Sequence, residues 1–330
     1  MKDHEYAGTV PECYRADLIR IAEAARRETE QSEHSVRFIF YTDPHHWPDG
    51  NQLRAAAAIR LLARELPLDA IVCGGDFSEN GPKDEVVRSQ NEIVNALRVP
   101  TCPLLPVKGN HDDNSIHDYQ LHSGGTEHVI FPHETYENLL KPLEGIVSFD
   151  RGNESGLYYY YDIPGKRTRI VVLNAIDIPY ETGDNGMLRQ NGQWQYAFSD
   201  RQLIWMRQEA LDFSGKPDCD RWKALIFSHV AILQDGVEGA DHPVTGGEAM
   251  WDIIRENRSH VAACFFGHVH CDQVIVRDGI PMLSTLNGVT YGRGKDSIME
   301  TAFDVCSLNY AKGELVATRF GAGDSRTIRL

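Results

Sequence analysis

Apolar positions along the chain change their period several times, and each change marks an element. Between Tyr14 and Thr29, the residues Leu18, Ile19, Ile21, Ala22 and Ala25 recur at helical spacing with Arg and Glu between them, which predicts an outer helix. Residues 36–41 read as a buried strand, 53–66 as a helix rich in Ala, Leu and Arg, and 68–73 as a second strand. The helical period returns over 85–97 through Val86, Val87, Ile93, Val94 and Leu97. Pro100 and Pro103 then close it before a third apolar run containing Leu104, Leu105 and Val107. Strand, helix, strand, helix, strand argues for parallel strands joined by helices.

From 113 to 153 the pattern loosens into polar residues and the histidines His117, His122, His128 and His133, broken by a helix near 135–140. So long a stretch in a compact domain points to a functional or mobile segment. Residues 157–162 and 169–173 look like paired strands, and 176–197 is a second long excursion carrying Tyr180, Trp194 and Tyr196. Ser199 suits the N-cap of a helix over 200–211 that turns Leu203, Ile204, Met206 and Leu211 to the core. A strand over 223–227, a helix over 247–256 and a strand over 261–266 follow. Short strand candidates at 273–276, 282–285, 302–306 and 315–320 suggest a second sheet. We therefore expect a helical extension over 1–34 and one domain over 35–330, with lid-like insertions near 113–155 and 176–198.

Composition narrows the function. The chain of 330 residues carries 33 Lys and Arg against 48 Asp and Glu, a formal charge of -15 that disfavours nucleic acid and anionic lipid unless bound cations reverse it locally. Fourteen His, several beside Asp or Asn just past apolar runs, suit metal binding. The seven Cys are scattered, with Cys73 and Cys264 inside apolar runs, so buried thiols in a reducing compartment fit better than a disulfide framework. Met1 to Val10 lack the apolar core of a signal peptide, and no stretch approaches the ~18 apolar residues of a membrane span. The expectation is a cytoplasmic protein with no membrane partner.

Five apolar runs end in metal-type side chains: Asp43 and His45, Asp76, Asn110 and His111, His229, and His268 with His270. Singly, each has a structural explanation as a turn, a cap or a hydrogen-bonded residue. Together they do not, because parallel strands place their carboxyl ends along one edge, where α/β folds keep their chemistry. A carboxylate between two cations can hold them at the ~3.5–4 Å separation of two-metal hydrolysis, imidazoles suit transition metals, and Asn adds an oxygen without charge. The set has too few carboxylates for a calcium cage and no Cys for structural zinc.

These residues resemble the calcineurin-like metallophosphoesterases. Asp43-Pro44-His45 is similar to the family's D-x-H, Gly75-Asp76 with Glu79 to G-D-x-x-D/E, and Gly109-Asn110-His111-Asp112 to G-N-H-D/E. His229 is similar to its isolated His, and Gly267 to His270 to G-H-x-H, all in family order. The resemblance implies a four-layer α/β/β/α sandwich with two mixed sheets and two divalent or trivalent transition-metal ions, manganese, iron or zinc, at the strand ends. It implies one ion on Asp43, His45, Asp76 and His270, and the other on Asp76, Asn110, His229 and His268. Water or hydroxide shared between the ions would attack phosphorus in line, with His111 at the leaving-group oxygen and either Glu79 or Asp112 orienting it.

Beyond the motifs, His46 is a candidate substrate contact. Arg293 and Lys295 could bind phosphate between flanking glycines, though a plain surface turn explains them about as well. Tyr158 to Tyr161 alternate between two strand faces, so core and surface come before an aromatic platform. The expected activity is a metal-dependent phosphoesterase acting on a phosphodiester or small organophosphate. The alternatives are a nuclease, disfavoured by net acidity, and a non-catalytic metal-binding scaffold. The oligomeric state is not legible in the sequence.

Overall fold

The computed structural model describes residues 9–28, 34–48, 50, 52–122, 125–153, 156–289, 294 and 296–330. The chain begins with α1 (Arg15–Glu28), β1 (Ser35–Tyr41), α2 (Gln52–Glu65), β2 (Ala70–Cys73), α3 (Lys83–Leu97) and β3 (Leu104–Pro106). The first excursion carries α4 (Ser115–Leu121), α5 (Pro132–Thr135), which widens into a π-turn through Leu140, and β4 (Ser148–Phe149). Next come β5 (Tyr159–Asp162), β6 (Thr168–Val172) and β7 (Tyr196–Ala197), then α6 (Asp200–Trp205), also widened into a π-turn, through Ala210. The remainder is β8 (Lys223–Ser228), β9 (Val244–Thr245), α7 (Gly247–Glu256), β10 (Val261–Phe266), β11 (Gln273–Arg277), β12 (Ile280–Ser284), β13 (Ala302–Asn309), β14 (Glu314–Gly321) and β15 (Arg326–Arg329).

Two mixed sheets stack between helical layers. One has the order β15-β14-β13-β1-β2-β3, with β1, β2 and β3 parallel; the other has β11-β12-β10-β8-β6-β5-β4, with β6, β8, β10 and β12 parallel. Strand alternation decides which layer each side chain enters. Leu225 and Phe227 of β8 face the other sheet, where Phe38 meets Phe227 at 5.5 Å and Phe265 at 5.4 Å. Ala224 and Ile226 face the outer helices with Trp205, Met206, Met250 and Ile254. Every residue of β1 is buried because helices cover one face of its sheet and the second sheet the other. On α1, Leu18, Ile21, Ala22 and Ala25 join this same core, while Ile19 turns outward at 62% exposure. Among the described residues, no helix is long and apolar enough to cross a membrane.

Three local expectations change. The four strands expected after residue 270, with a fifth, β15, do not form a sheet of their own: β11 and β12 extend the β10 sheet, while β13 to β15 extend the β1 sheet. Their alternation shows that they are strands but carries no information about their partners. On α6, Ile204 is exposed and Trp205 takes its place in the core, and the widened turn brings Met206, Ala210 and Leu211 back inward. Ser199 does cap this helix, accepting from the Gln202 backbone N–H at 3.2 Å. Tyr158, Tyr159 and Tyr161 are core, and Tyr160 lies under the Arg169 guanidinium at 3.7 Å, so the run forms no ligand platform.

Candidate metal centre

Strand ends from both sheets meet at one pole. Asp43 and His45 follow β1, Asp76 follows β2, Asn110 and His111 follow β3, His229 follows β8, and His268 and His270 follow β10. Asp43, His45, Asp76, His268 and His270 all have positive φ, between 42° and 67°. Such backbone is costly for non-glycine residues and collects at functional sites. Here it swings the side chains off the strand axis toward a common centre. The loops are pinned to one another: Asp43 N–H donates to Gly75 at 3.0 Å, His45 N–H to the Asp76 carbonyl at 3.0 Å, and Gly267 N–H to His229 at 2.9 Å. A Cβ on Gly109 would collide with the Asp76 carboxylate, so that position must be glycine for the two turns to close together.

The ligand-type atoms fall into groups. Asp43, His45 and His270 form one, with His270 Nε2 3.2 Å from both Asp43 Oδ1 and His45 Nε2. Asp76, His229 and His268 form the second, with His229 Nε2 3.1 Å from Asp76 Oδ2. Asn110 Oδ1 lies 2.9 Å from His229 Nε2 and 3.0 Å from His268 Nδ1. The Gly74 carbonyl accepts from His229 Nδ1 at 2.8 Å, which turns Nε2 inward. Lys108 and Asp113, a buried pair at 3.0 Å, clamp the turn that carries Asn110 and His111, and the Tyr180 hydroxyl donates to Asp113 at 2.6 Å from the second insertion.

Electrostatics bear on what this pole can hold. Burial would raise the Asp43 carboxyl, yet the His229 and His270 imidazoles keep it at about 2. Asp76 is also buried, and His229 and His111 pull it well below the ordinary carboxylate range. Burial would lower His229, but Asp76 and Asp43 raise it to about 10. For His45, burial prevails over Asp76 and the shift is downward. A potential that raises a fully buried imidazole so far is one that attracts cations. The donors converging there, imidazole nitrogens, carboxylate oxygens and an amide oxygen, are those of transition-metal sites, so the residues fit such ions.

Other candidates are placed differently. His46 is buried, with Nε2 3.1 Å from Glu92 and Nδ1 3.4 Å from Gln52, and it stays outside the ligand groups. The Asp112 carboxylate accepts from the backbone N–H groups of Asp76, Phe77 and Gly109 at 2.6–3.1 Å and so braces two motif turns. Burial and Asp76 raise it to about 6. Glu79 lies instead with His45 and His111 in a third group, 3.8 Å from His45 Nδ1. Arg293 and Lys295 lie outside the described residues. The loop histidines stay out of all three groups; His117 and His128 pack edge to face at 5.0 Å, and His133 stacks on Phe131. Two neighbours escaped the sequence reading: the Tyr196 hydroxyl and Asp241 Oδ1 each lie 3.2 Å from His268 Nε2. Tyr196 was visible only as an aromatic in an excursion, and nothing marked Asp241.

A family model described as calcineurin-like phosphoesterase matches residues 36–272, from the start of β1 to just past His270. The chain belongs to the calcineurin-like phosphoesterase family. Among solved structures, a dimetal phosphatase from Danio rerio superimposes with a TM-score of 0.65 at 16% identity, covering 89% of this chain and 98% of that one. GAP50, described as the anchor in the inner membrane complex of Plasmodium, superimposes at 0.49 with 12% identity over 90% of this chain and 88% of its own. A putative 5'-nucleotidase from Staphylococcus aureus also reaches 0.49 at 12% identity, over 89% of this chain and 54% of that one. No curated protein matches by sequence. The Danio rerio likeness establishes the four-layer fold. Family membership supports a metal-dependent phosphoesterase, and the His/Asp groups are the candidates to hold the two transition metals that the family typically binds.

Proposed function

We propose that this protein hydrolyses a phosphodiester or a small organophosphate at two transition-metal ions. The observation that carries this reading is Asp76 standing between two ligand groups, 3.1 Å from His229 Nε2 on one side and 3.7 Å from His45 Nε2 on the other. Asp43, His45, Asp76 and His270 would hold one ion, and Asp76, Asn110, His229 and His268 the other; the donors suit manganese, iron or zinc. Bound there, the ions supply Lewis acidity, lowering the pKa of water and neutralising phosphoryl charge.

The chain's own residues do the rest. His111 N–H donates to Asp76 Oδ1 at 2.9 Å, and its ring stands edge-on to His45 at 4.9 Å with Nδ1 buried and free of hydrogen bonds. It would give a proton to the leaving-group oxygen, and Glu79 is the carboxylate beside it to hold the ring. The partner is a small phosphorylated compound, and seven free thiols suit a reducing cytoplasm.

The test is hydrolysis of paired aryl mono- and diesters across manganese, iron and zinc, with an oligonucleotide alongside. We expect metal-dependent, salt-insensitive turnover of a small ester and none of the oligonucleotide. Protein carrying two ions that turned over no ester would overturn the reading. His111→Ala is expected to keep both ions and lose ~10²–10⁴-fold in kcat. Full turnover in that variant, with metal content confirmed, would remove its assigned role.

A further inference from the structure

We propose that Tyr196 and Asp241 are positioning residues for His268, and that through this imidazole the loops around β7 and β9 set how tightly the Asp76–His229–His268 group holds its ion. The inference rests on the two-ion reading above.

His268 has its two ring nitrogens in different company. Nδ1 lies 3.0 Å from Asn110 Oδ1, on the ligand side. Nε2 faces outward, 3.2 Å from both Asp241 Oδ1 and the Tyr196 hydroxyl. The hydroxyl donates to Asp241 Oδ2 at 2.8 Å, so its own proton is committed and the carboxylate remains an acceptor. An acceptor pair on that side keeps a proton on Nε2 and leaves the Nδ1 lone pair aimed inward. Outer partners of this kind fix the tautomer and ring angle of a metal-binding His and raise its basicity.

The pair is assembled by backbone, not by chance contact of surface side chains. Tyr196 is buried and pairs with Val244 in the parallel β7–β9 ribbon, and Phe198 N–H donates to Thr245 at 2.9 Å just beyond it. A Cβ on Gly246, at φ 75°, would meet the Phe198 carbonyl at 2.6 Å, so this crossing needs glycine. Asp241 lies three residues before Val244, and Gly239 of the same loop packs over Val269, the residue between His268 and His270. The ribbon thus brings two segments far apart in sequence onto one imidazole.

The experiment titrates chelator-treated protein with Mn²⁺ calorimetrically and counts bound metal. Unsubstituted protein is expected to show two binding events, one of which His268→Ala abolishes. Asp241→Ala should weaken that same event ~10–100-fold and leave the other unchanged, with Tyr196→Phe producing a smaller loss at the same event. Asp252→Ala, an exposed carboxylate on α7, should change neither. An unaltered second event in folded Asp241→Ala protein, or equal weakening of both events, would overturn the inference while leaving the two-ion reading intact. A single event in unsubstituted protein would overturn that reading and this inference with it.

Discussion

Two buried polar clusters in this molecule contain similar residues and behave in opposite ways. Behind the metal pole, Arg319 of β14 donates from all three guanidinium nitrogens: Nε to Asp304 at 2.8 Å, Nη1 to Asp272 at 2.9 Å and Nη2 to Asp272 at 2.6 Å. Arg326 adds a second cation on Asp304 at 2.6 Å, and Thr285 donates to the same carboxylate. Cation meets anion there, and the cluster closes on itself. At the metal pole, carboxylates, imidazole nitrogens and an amide oxygen face one another across 2.9–3.2 Å, and Lys108 on the adjoining turn is taken up by Asp113 at 3.0 Å. A cluster that balances its own charge holds the fold together. One that turns imidazole, carboxylate and amide donors onto a common centre has the donor set of a transition-metal site.

Asp76→Ala is expected to have the largest effect: both ions lost, and a fall in rate beyond the ~10–100-fold that losing an outer partner produces. Metal counting and ester turnover check it, and a variant that kept two ions would break the contrast from the functional side. Asp304→Ala probes the other cluster. It leaves two arginines around a vacated carboxylate site and should cost about 3–5 kcal/mol in urea unfolding, with metal uptake unchanged in the folded protein.

The same carboxyl sharpens the comparison by pH. Burial would raise Asp304, but Arg319 and Arg326 hold it below the ordinary value. Its contribution to stability is therefore present above the unfolded value of about 3.9 and lost as pH falls through the depressed folded value. Urea midpoints between neutral pH and pH 3 should drop less in Asp304→Ala than in the parent. The smallest effect is His46→Ala, which removes the contacts to Glu92 and Gln52 and should cost about 1–3 kcal/mol of stability with ester turnover essentially unchanged. A selective rise in KM would mark His46 as a substrate contact.

Much of this is legible in the sequence. The β1–α2–β2–α3–β3 run follows from period changes, because local alternation and helical spacing are properties of neighbouring residues. The candidate ligands were visible as polar residues at strand ends, where the apolar run breaks, at Gly75 and Gly109 with a glycine, and leaves a short, readable pattern. Which way a side chain leaves such a turn was not legible. His45 and His46 are adjacent, yet positive φ at His45 sends one to the centre and leaves the other against Glu92. Asp112 sits in the motif but serves backbone N–H groups, a job that leaves no pattern of its own.

The sequence by itself determined the type and order of the secondary elements in the first third, the set of ligand-type residues, and the resemblance that family membership then established. Tertiary structure decided which sheet each late strand joins, that Ile204 faces solvent while Trp205 enters the core, and that Tyr196 and Asp241 meet His268. The division has a physical reason. Periodicity and turn chemistry act over a few residues, whereas a contact such as Asp241 to His268 depends on where a separate loop lands, and that depends on how the whole ribbon and sheet pack.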